Sequence, residues 1–321
     1  MPYNSLTSDT QAGALIPEDA ARDIIKGVTV KSAALQLFAH RKMSRLQQRL
    51  PCISALPTAY FVNGRTGLKQ TTSVSWTNKY LNAEEIAVIV PIPESLLDDV
   101  DYNLEGEIRP LVEEAIAVCL DDAIFFGTNK PTTWGTDIMT AASTASQTVT
   151  LEAKVGQDST DVADNLNAMM ELVEEDGYDV NGFWCHVAMK GKLRGLRTTG
   201  GEFIFIPSGA AGIGSQATVF GEKAVFSKAG FTSFGEDSGD VLAICGDWKQ
   251  GLIGIRDDIT MKKLTEAVIT DDEGKIVYNL AQQDMVALRF TFRAAFEVPN
   301  PINRMNQDAT TRYPFATLLH A

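Results

Sequence analysis

Residues 102–126 read YNLEGEIRPLVEEAIAVCLDDAIFF, and the prediction of the architecture starts from them. Apolar side chains recur there every three or four residues, which is the spacing of one face of an α-helix roughly 37 Å long. Pro110 lacks a backbone donor, so we expect a kink there or a break before it. Gly127 and Asn129 follow as helix stop signals. The apolar positions are Leu104, Ile108, Leu111, Val112, Ala115, Ile116, Cys119, Ala123 and Phe126.

Two strand-like stretches precede this helix, ALPTAYFV at 55–62 and AEEIAVIVPI at 83–92, and a polar run with two glycines separates them. The pattern predicts a long hairpin within residues 51–91. Because an isolated two-stranded ribbon is at best marginal in water, the hairpin should rest on something outside its own domain. Trp76 and Tyr80 near its tip are candidate contact residues, although ordinary packing explains a lone tryptophan about as often.

The rest of the chain predicts a mixture of helices and strands. A second helix is expected at 161–176 with Gly177 as its terminator. Between residues 178 and 248, short strands alternate with the basic helical piece MKGKLRGLR, which is a mixed α/β pattern. The clearest strand is 286–298, where apolar and charged side chains alternate until prolines end it.

Composition excludes several classes of protein. The 321 residues are 45% hydrophobic and 21% charged, which describes a folded chain rather than a disordered or collagen-like one. The formal charge of −13 argues against general affinity for nucleic-acid phosphate. The chain has neither a long apolar stretch nor a signal-like start, so we expect an intracellular protein without a membrane partner. Reduced, buried thiols are expected for the cysteines, which are Cys52, Cys119, Cys185 and Cys245.

The densest basic cluster of this acidic chain lies in HRKMSRLQQRL at 40–50 and contains Arg41, Lys42, Arg45 and Arg49. A solvated face or a subunit interface is favoured over a phosphate contact.

The search for catalytic chemistry finds no site. The histidines, His40, His186 and His320, have no metal-ligand spacing, and neither HExxH nor CxxC occurs. His186 and Cys185 are adjacent strand residues that point to opposite faces, so they cannot readily form a dyad. The glycine-rich run at 209–217 lacks the third glycine of a dinucleotide fingerprint, and the acidic pairs do not fit a calcium loop. No catalytic residue, cofactor or metal site is therefore predicted.

The order of arm, long hairpin, long helix, α/β insert and alternating strand resembles the tailed-bacteriophage major capsid proteins of the Hong Kong 97 fold family. Each matching run is weak alone, but their collinear order is hard to obtain by chance. The runs are LIPEDAARDIIKGVTVKSAALQL (15–37), IPESLLDDV (92–100), LVEEAIAVCLDDAIFFGTNKPTTWG (111–135), HVAMKGKLRGLRTTGGEFIF (186–205), GEKAVFSK (221–228), AICGDWKQGLIGIRDDITMKKL (243–264) and DMVALRFTFRAAFEVPNP (284–301).

The resemblance implies a mixed α+β fold. The implied parts are an N-terminal arm and lead-in (1–50), an extended β-hairpin loop (51–91), a peripheral domain with a long spine helix (92–156), an inserted axial domain (157–257), and peripheral strands with a C-terminal tail (258–321).

The resemblance also implies a structural, non-enzymatic protein that self-assembles as hexamers and pentamers into an icosahedral shell enclosing double-stranded DNA. The extended loop would contact neighbouring subunits, and the shell would assemble in the host bacterial cytoplasm. Further expected partners are a separate scaffolding protein, unless assembly needs none, a portal and decoration proteins. DNA would be contacted weakly and without sequence specificity, because an acidic wall does not hold a polyanion tightly.

Nine residues are subunit-interface candidates under this resemblance. Some relatives join an extended-loop lysine covalently to a neighbouring asparagine, and Lys69 is the only lysine at the loop tip here, but a lysine at a polar tip is ordinary and the sequence shows no partner for such a bond. The acidic candidates would lie at a tip near local threefold positions. The nine are Arg41, Arg45, Arg49, Lys69, Trp76, Tyr80, Asp271, Asp272 and Glu273.

Two alternatives stay open at this point. An encapsulin-like nanocompartment shares the fold but encloses enzymes, and its cargo would distinguish it. A soluble α/β enzyme, for example a hydrolase using His186, would form a small oligomer with turnover instead of a megadalton particle.

Overall fold

A computed structural model describes residues 32–62, 68–95, 104–151, 162–196, 218–227, 240–271 and 273–320. Most of the predicted arm, the glycine-rich run at 209–217 and Asp272 lie outside the described residues. The described part contains five α-helices. They are α1 (Ala33–Leu37), α2 (Leu104–Phe125), α3 (Ile138–Thr144), α4 (Val162–Glu175) and α5 (Met189–Arg194).

Fourteen strands are found in the same residues, together with a 3-10 turn at Trp248–Gln250. The strands are β1 (Ala39–Lys42), β2 (Gln47–Ala55), β3 (Ser75–Asn82), β4 (Glu84–Pro93), β5 (Thr148–Thr150), β6 (Gly182–His186), β7 (Thr218–Val219), β8 (Glu222–Ser227), β9 (Val241–Gly246), β10 (Leu252–Leu264), β11 (Val268–Thr270), β12 (Ile276–Asn279), β13 (Met285–Glu297) and β14 (Phe315–Leu319).

Helix α2 confirms the predicted long helix and runs without interruption through Pro110. The predicted alternative of a break before this proline is therefore wrong. An internal proline costs a helix about 3 kcal/mol. The burial of Val112, Ile116 and Leu120 downstream offsets that cost, because tertiary packing supplies most of the stability of a protein helix.

The buried face of α2 is narrower than predicted. Leu111 is 60% exposed, and Ala115 and Cys119 are also exposed. A spacing of three and four residues is compatible with two neighbouring stripes of apolar side chains on the helix. Only the stripe through Ile116 is buried, and the stripe through Ala115 is exposed. The expectation of a buried thiol is thus wrong for Cys119, although all four cysteines are free and the other three are buried. The stop signal is confirmed, since Gly127 has a φ of 71°.

The described residues form two compact units. Unit 1 contains residues 84–95, 104–117, 257–271 and 273–294. Unit 2 contains residues 32–62, 68–83, 118–151, 162–196, 218–227, 240–256 and 295–320.

A four-stranded sheet has the order β1–β10–β13–β4, and unit 1 contains β4 together with residues 257–264 of β10 and 285–294 of β13. β13 pairs antiparallel with β4 from Met285 opposite Pro93 to Ala294 opposite Glu84. Phe290 and Phe292 are buried on one face, whereas the Arg293 guanidinium on the other face lies 2.6 Å from Glu85 and 3.2 Å from Asp257. The predicted alternating strand is confirmed.

Unit 2 contains a six-stranded sheet in the order β5–β14–β9–β6–β8–β7. β14 lies inside this sheet, antiparallel to β9 and parallel to β5. The prediction for 258–321, peripheral strands and a C-terminal tail, did not identify this strand, because the sequence FATLL at 315–319 lacks the alternation of apolar and polar residues that marks a strand. Helix α4 confirms the prediction for 161–176 and buries Leu166, Met169 and Val173 in the core that includes Phe183 of β6.

Within unit 2, two sets of contacts hold the segment of α1 and β1 in place. The Phe38 ring lies 4.9 Å from that of Trp248 and 5.3 Å from that of Phe296. The buried Asp121 carboxylate accepts hydrogen bonds from the Ser32 hydroxyl at 2.6 Å and from the Ala33 backbone N–H at 2.7 Å. Burial raises the pKa of Asp121 to about 6, and these hydrogen bonds oppose that rise.

Candidate assembly interface

The candidate interface is the hairpin formed by β2 and β3 in unit 2. These strands pair antiparallel, from Gln47 opposite Asn82 to Ile53 opposite Trp76. A hairpin is present in this part of the chain, but the predicted pairing of 55–62 with 83–92 is wrong. Residues 56–62 form no strand, and most of the stretch 83–92 is β4, which pairs with β13 instead. The partner strand of β4 lies some two hundred positions away in the sequence, so the local alternation of apolar residues predicts a strand but does not identify its partner.

One face of the hairpin packs on unit 2. Residues directly opposite each other in an antiparallel pair share a face. Leu50 and Leu81 are buried and pack with Met43 and Ala295. The base of the hairpin is held further by Asn82, whose side chain donates to the Thr133 carbonyl at 2.9 Å.

The other face of the hairpin is exposed. We call it the open face, and its core consists of three cross-strand pairs. Exposure is 40% at Ile53, 65% at Trp76 and 45% at Tyr80. The pairs are Arg49 with Tyr80, Pro51 with Asn78, and Ile53 with Trp76.

Three of the predicted interface residues, Arg49, Trp76 and Tyr80, therefore lie on one surface. Sequence reasoning missed Pro51 and Ile53, because their place on this face follows only from the register of the two strands.

Between the strands, the described residues expose five large apolar side chains; Val74 directly precedes β3, and we call the other four the apolar tip. Exposure is 101% at Phe61 and 89% at Leu68. The two sides of this loop are joined by the Thr58 backbone N–H, which donates to the Thr72 hydroxyl at 3.1 Å. The predicted candidate Lys69 is exposed beside Leu68. The apolar tip consists of Tyr60, Phe61, Val62 and Leu68.

An ion pair ties β3 to the end of β13. The Lys79 ammonium lies 3.5 Å from the Glu297 carboxylate, and the side chain of Glu297 is only 8% exposed. Burial raises the pKa of Glu297, whereas Lys79, the Gly135 backbone N–H and Lys130 oppose that rise. The half-exposed Lys79 side chain thus supplies the positive charge that compensates the buried carboxylate of Glu297.

We expect Lys79→Met to destabilise the protein at pH 7–8 by about 1–2 kcal/mol, because it leaves Glu297 buried without its cation. A folded-state pKa above the unfolded value means that the folded protein binds the proton more tightly, so stability falls as pH rises through the folded-state pKa. The variant raises this pKa further. Its deficit should therefore be largest at pH 7–8 and shrink towards pH 4.

Thermal unfolding of Lys79→Met and wild type at several pH values measures this deficit. Lys69→Met, at an exposed lysine, is the matched control and should show no pH-dependent difference from wild type. A deficit for Lys79→Met that is the same at pH 4 and pH 8 would contradict the role of Glu297.

The predicted basic cluster is exposed throughout. Arg41 and Lys42 lie on β1, Arg45 lies between the strands, and Arg49 lies on the open face. In the part of the chain that the structure describes, none of the four has a carboxylate within ion-pair distance. The structure brings only Arg49 together with Trp76 and Tyr80.

The predicted acidic tip is the turn between β11 and β12 in unit 1. Asp271 Oδ1 accepts from the backbone N–H groups of Glu273 at 3.1 Å and Lys275 at 2.8 Å. Gly274 has a φ of 80°, which suits this turn. Asp271 and Glu273 thus occupy an ordered turn, and Asp272 lies outside the described residues.

The residues of the enzyme alternative are packed in the core. His186 is 7% exposed, and its Nδ1 accepts from the Ala188 backbone N–H at 3.4 Å. Burial lowers the pKa of His186 and raises that of Cys185 to about 12, so the Cys185 thiol is not poised as a nucleophile near neutral pH. Among the described residues, no cluster of His, Cys, Asp and Glu could hold a metal ion. No described helix is long and apolar enough to cross a membrane.

Comparisons with known proteins agree on one family. The model of the phage capsid family matches residues 12–303. The major capsid protein of Staphylococcus phage 80alpha is 24% identical over 301 residues, which are 92% of this chain and 85% of that protein.

Solved structures extend the likeness. A chain from Microbacterium phage Oxtober96 is 35% identical with a TM-score of 0.78, covering 99% of this chain and 100% of its own. A chain from Mycobacterium phage Bobi is 28% identical with a TM-score of 0.79 and 99% coverage of both chains. These relatives favour a capsid over the encapsulin-like and enzymatic alternatives. The chain belongs to the phage capsid family, and its function is that of a major capsid protein in the virion of a tailed phage.

Proposed function

We propose that copies of this chain associate as hexamers and pentamers of an icosahedral shell, with the open face and the apolar tip of each hairpin seated on a neighbouring copy. The observation that carries the proposal is the exposure of Ile53, Trp76 and Phe61 on one hairpin and its loop. Exposed apolar patches of this kind mark contact surfaces. A hairpin that docks on the next copy makes a heterologous contact, and such contacts close into rings.

Burial of the open face contributes a moderate free energy to each contact between copies. A large aromatic side chain buries roughly 150–250 Å². At about 25 cal/mol per Å², complete burial contributes at most about 4–6 kcal/mol, and a side chain that is already half buried contributes less. Weak contacts suffice in a shell, because each copy makes several of them at once.

The charge of −13 supports a container for double-stranded DNA that does not bind its content tightly. We place assembly in the host bacterial cytoplasm, with a portal, decoration proteins and a separate scaffolding protein as proposed partners. The work of the chain is self-association, and no catalytic step is assigned to it.

We expect the double variant Ile53→Ser with Trp76→Ser to fold normally but to need at least a tenfold higher concentration for assembly. A loss of about 1.4 kcal/mol per contact produces a change of that size. Both side chains are already exposed, so the melting temperature should stay close to that of wild type. Sedimentation velocity and negative-stain electron microscopy measure the assembled fraction.

Phe220→Ser is the matched control, because Phe220 is 52% exposed in the turn between β7 and β8 of unit 2. This control should assemble at the wild-type concentration. Closed particles from the double variant at that same concentration would contradict the proposed contact.

A further inference from the structure

Residues 298–314 join β13 to β14, and we call this segment the bridging loop. Arg312, which is only 3% exposed, closes the loop from inside. Its guanidinium donates to the Asn300 carbonyl at 3.1 Å and to the Asn306 carbonyl at 2.9 Å. The Asn300 side chain donates to the Arg312 carbonyl at 2.8 Å in return. The loop is therefore packed by its own side chains and has a defined shape.

One set of contacts attaches the bridging loop to the end of helix α4. Asp176 follows this helix directly and is 7% exposed. Its carboxylate accepts from the Asn306 side chain at 2.7 Å, and its carbonyl accepts from the Asn303 side chain at 2.6 Å. Between these two residues, Met305 packs on Gly177, where a Cβ would lie 2.9 Å from the Met305 sulfur. Because hydrogen bonds to a carboxylate are stronger than those to a neutral acceptor, the loop is held firmly here.

A second set of contacts joins the bridging loop to the hairpin near the end of β2. The Ile302 backbone N–H donates to the Ile53 carbonyl at 3.2 Å. The exposed Arg304 side chain donates to the Pro57 carbonyl at 3.1 Å. Pro57 belongs to residues 56–62, which form no strand and lead into the apolar tip. The bridging loop thus connects helix α4 to the part of the hairpin where the pairing of β2 with β3 has ended.

We propose that the bridging loop positions the hairpin for docking on a neighbouring copy, with Arg304 as the positioning residue. The inference rests on the proposed function, in which the open face and the apolar tip are the docking surface. A two-stranded ribbon is at best marginal in water, so the arrangement of residues 56–62 must be held from outside the hairpin. A surface that is already arranged before docking loses less conformational entropy on association. Because Arg304 is exposed, its bond to Pro57 holds the hairpin without filling the core.

Backbone amide exchange of the unassembled chain tests the contact, and sedimentation velocity tests its effect on assembly. Arg304→Met removes the donor but keeps a long side chain. We expect amide exchange at residues 58–62 to accelerate by at least about threefold. Assembly should need at least about threefold more protein, whereas the melting temperature should stay close to that of wild type because the residue is exposed. Arg304→Lys keeps a cationic donor and should reverse most of both effects.

Two further variants complete the test. Arg194→Met is the matched control, because Arg194 is also exposed and donates to the Lys190 carbonyl at 3.1 Å. It removes the same charge and the same kind of hydrogen bond elsewhere in unit 2, so neither hairpin exchange nor assembly should change. Asn303→Ala leaves Arg304 in place but removes the bond to the Asp176 carbonyl. If the loop acts through its attachment to α4, exchange at residues 58–62 should accelerate in this variant as well.

The outcomes separate the inference from the proposed function. Wild-type exchange at residues 58–62 in Arg304→Met overturns the positioning contact, and accelerated exchange with wild-type assembly overturns its role in docking. Wild-type exchange in Asn303→Ala overturns the attachment to α4 as part of the arrangement. All three results leave the proposed function standing. A wild-type chain that forms no particles under any assembly condition overturns the proposed function and the docking role together.

Discussion

We expect a chain in which an Asn-Gly turn replaces residues 56–74 to fold normally but to form no closed shell. Ala55 lies opposite Ser75, so a two-residue turn can join β2 to β3 at their observed register. The buried side chains Leu50 and Leu81 and the Lys79–Glu297 ion pair stay in place. Only the apolar tip and the loop that carries it are lost, and with them the reach of the hairpin.

The measurement compares thermal unfolding with negative-stain electron microscopy of the same preparation. The expected result is a melting temperature close to that of wild type together with capsomers or monomers instead of particles. A full-length loop in which all four residues of the apolar tip are changed to serine is the matched control for length. If this control also fails to assemble, the apolar side chains are required, and if it assembles, the reach of the loop is the required feature. Normal particles from the shortened chain would contradict the role of the loop.

Long periodic elements were predictable from the sequence because many residues report the same period. The helices α2 and α4 and the strand β13 each show such a pattern over more than ten positions. Most of the residues on the predicted apolar faces are buried. Leu111 and Cys119 are exposed, because a helical spacing does not define where the edge of the buried face lies.

Long-range pairing was the part that local sequence could not provide. β4 was correctly predicted as a strand, but its partner is β13 rather than the other arm of a hairpin. β14 was missed because a buried strand of five residues does not need alternation when both of its faces are covered. In each case the strand is stabilised by residues that are distant in sequence.

The candidate interface was predictable as a set of residue types but not as a surface. Trp76 and Tyr80 were predicted as contact residues because they are aromatic residues in a polar hairpin, and both are exposed. Their common face with Ile53 depends on a strand register that composition does not encode. The basic residues outside Arg49 and the acidic turn at Asp271 remain predicted contacts with neighbouring copies.

The largest effect on stability is expected from Ile116→Asp in helix α2. Ile116 is 3% exposed, so the variant places a carboxylate in an apolar environment with no designed partner. Burial of an unpaired charge together with the loss of the apolar contacts should lower the free energy of unfolding by about 3–5 kcal/mol. For a protein of this size, that loss corresponds to a decrease in melting temperature of roughly 5–10 °C.

Leu111→Asp is the matched control, since Leu111 lies on the same helix but is 60% exposed. This change should alter the free energy of unfolding by less than about 0.5 kcal/mol. The comparison holds helix propensity and introduced charge constant and varies only burial. Because burial raises the pKa of a carboxyl group, the deficit of Ile116→Asp should also shrink as pH falls towards the unfolded-state pKa of about 4. Equal melting temperatures for the two variants would show that the packed face of α2 does not pass through Ile116.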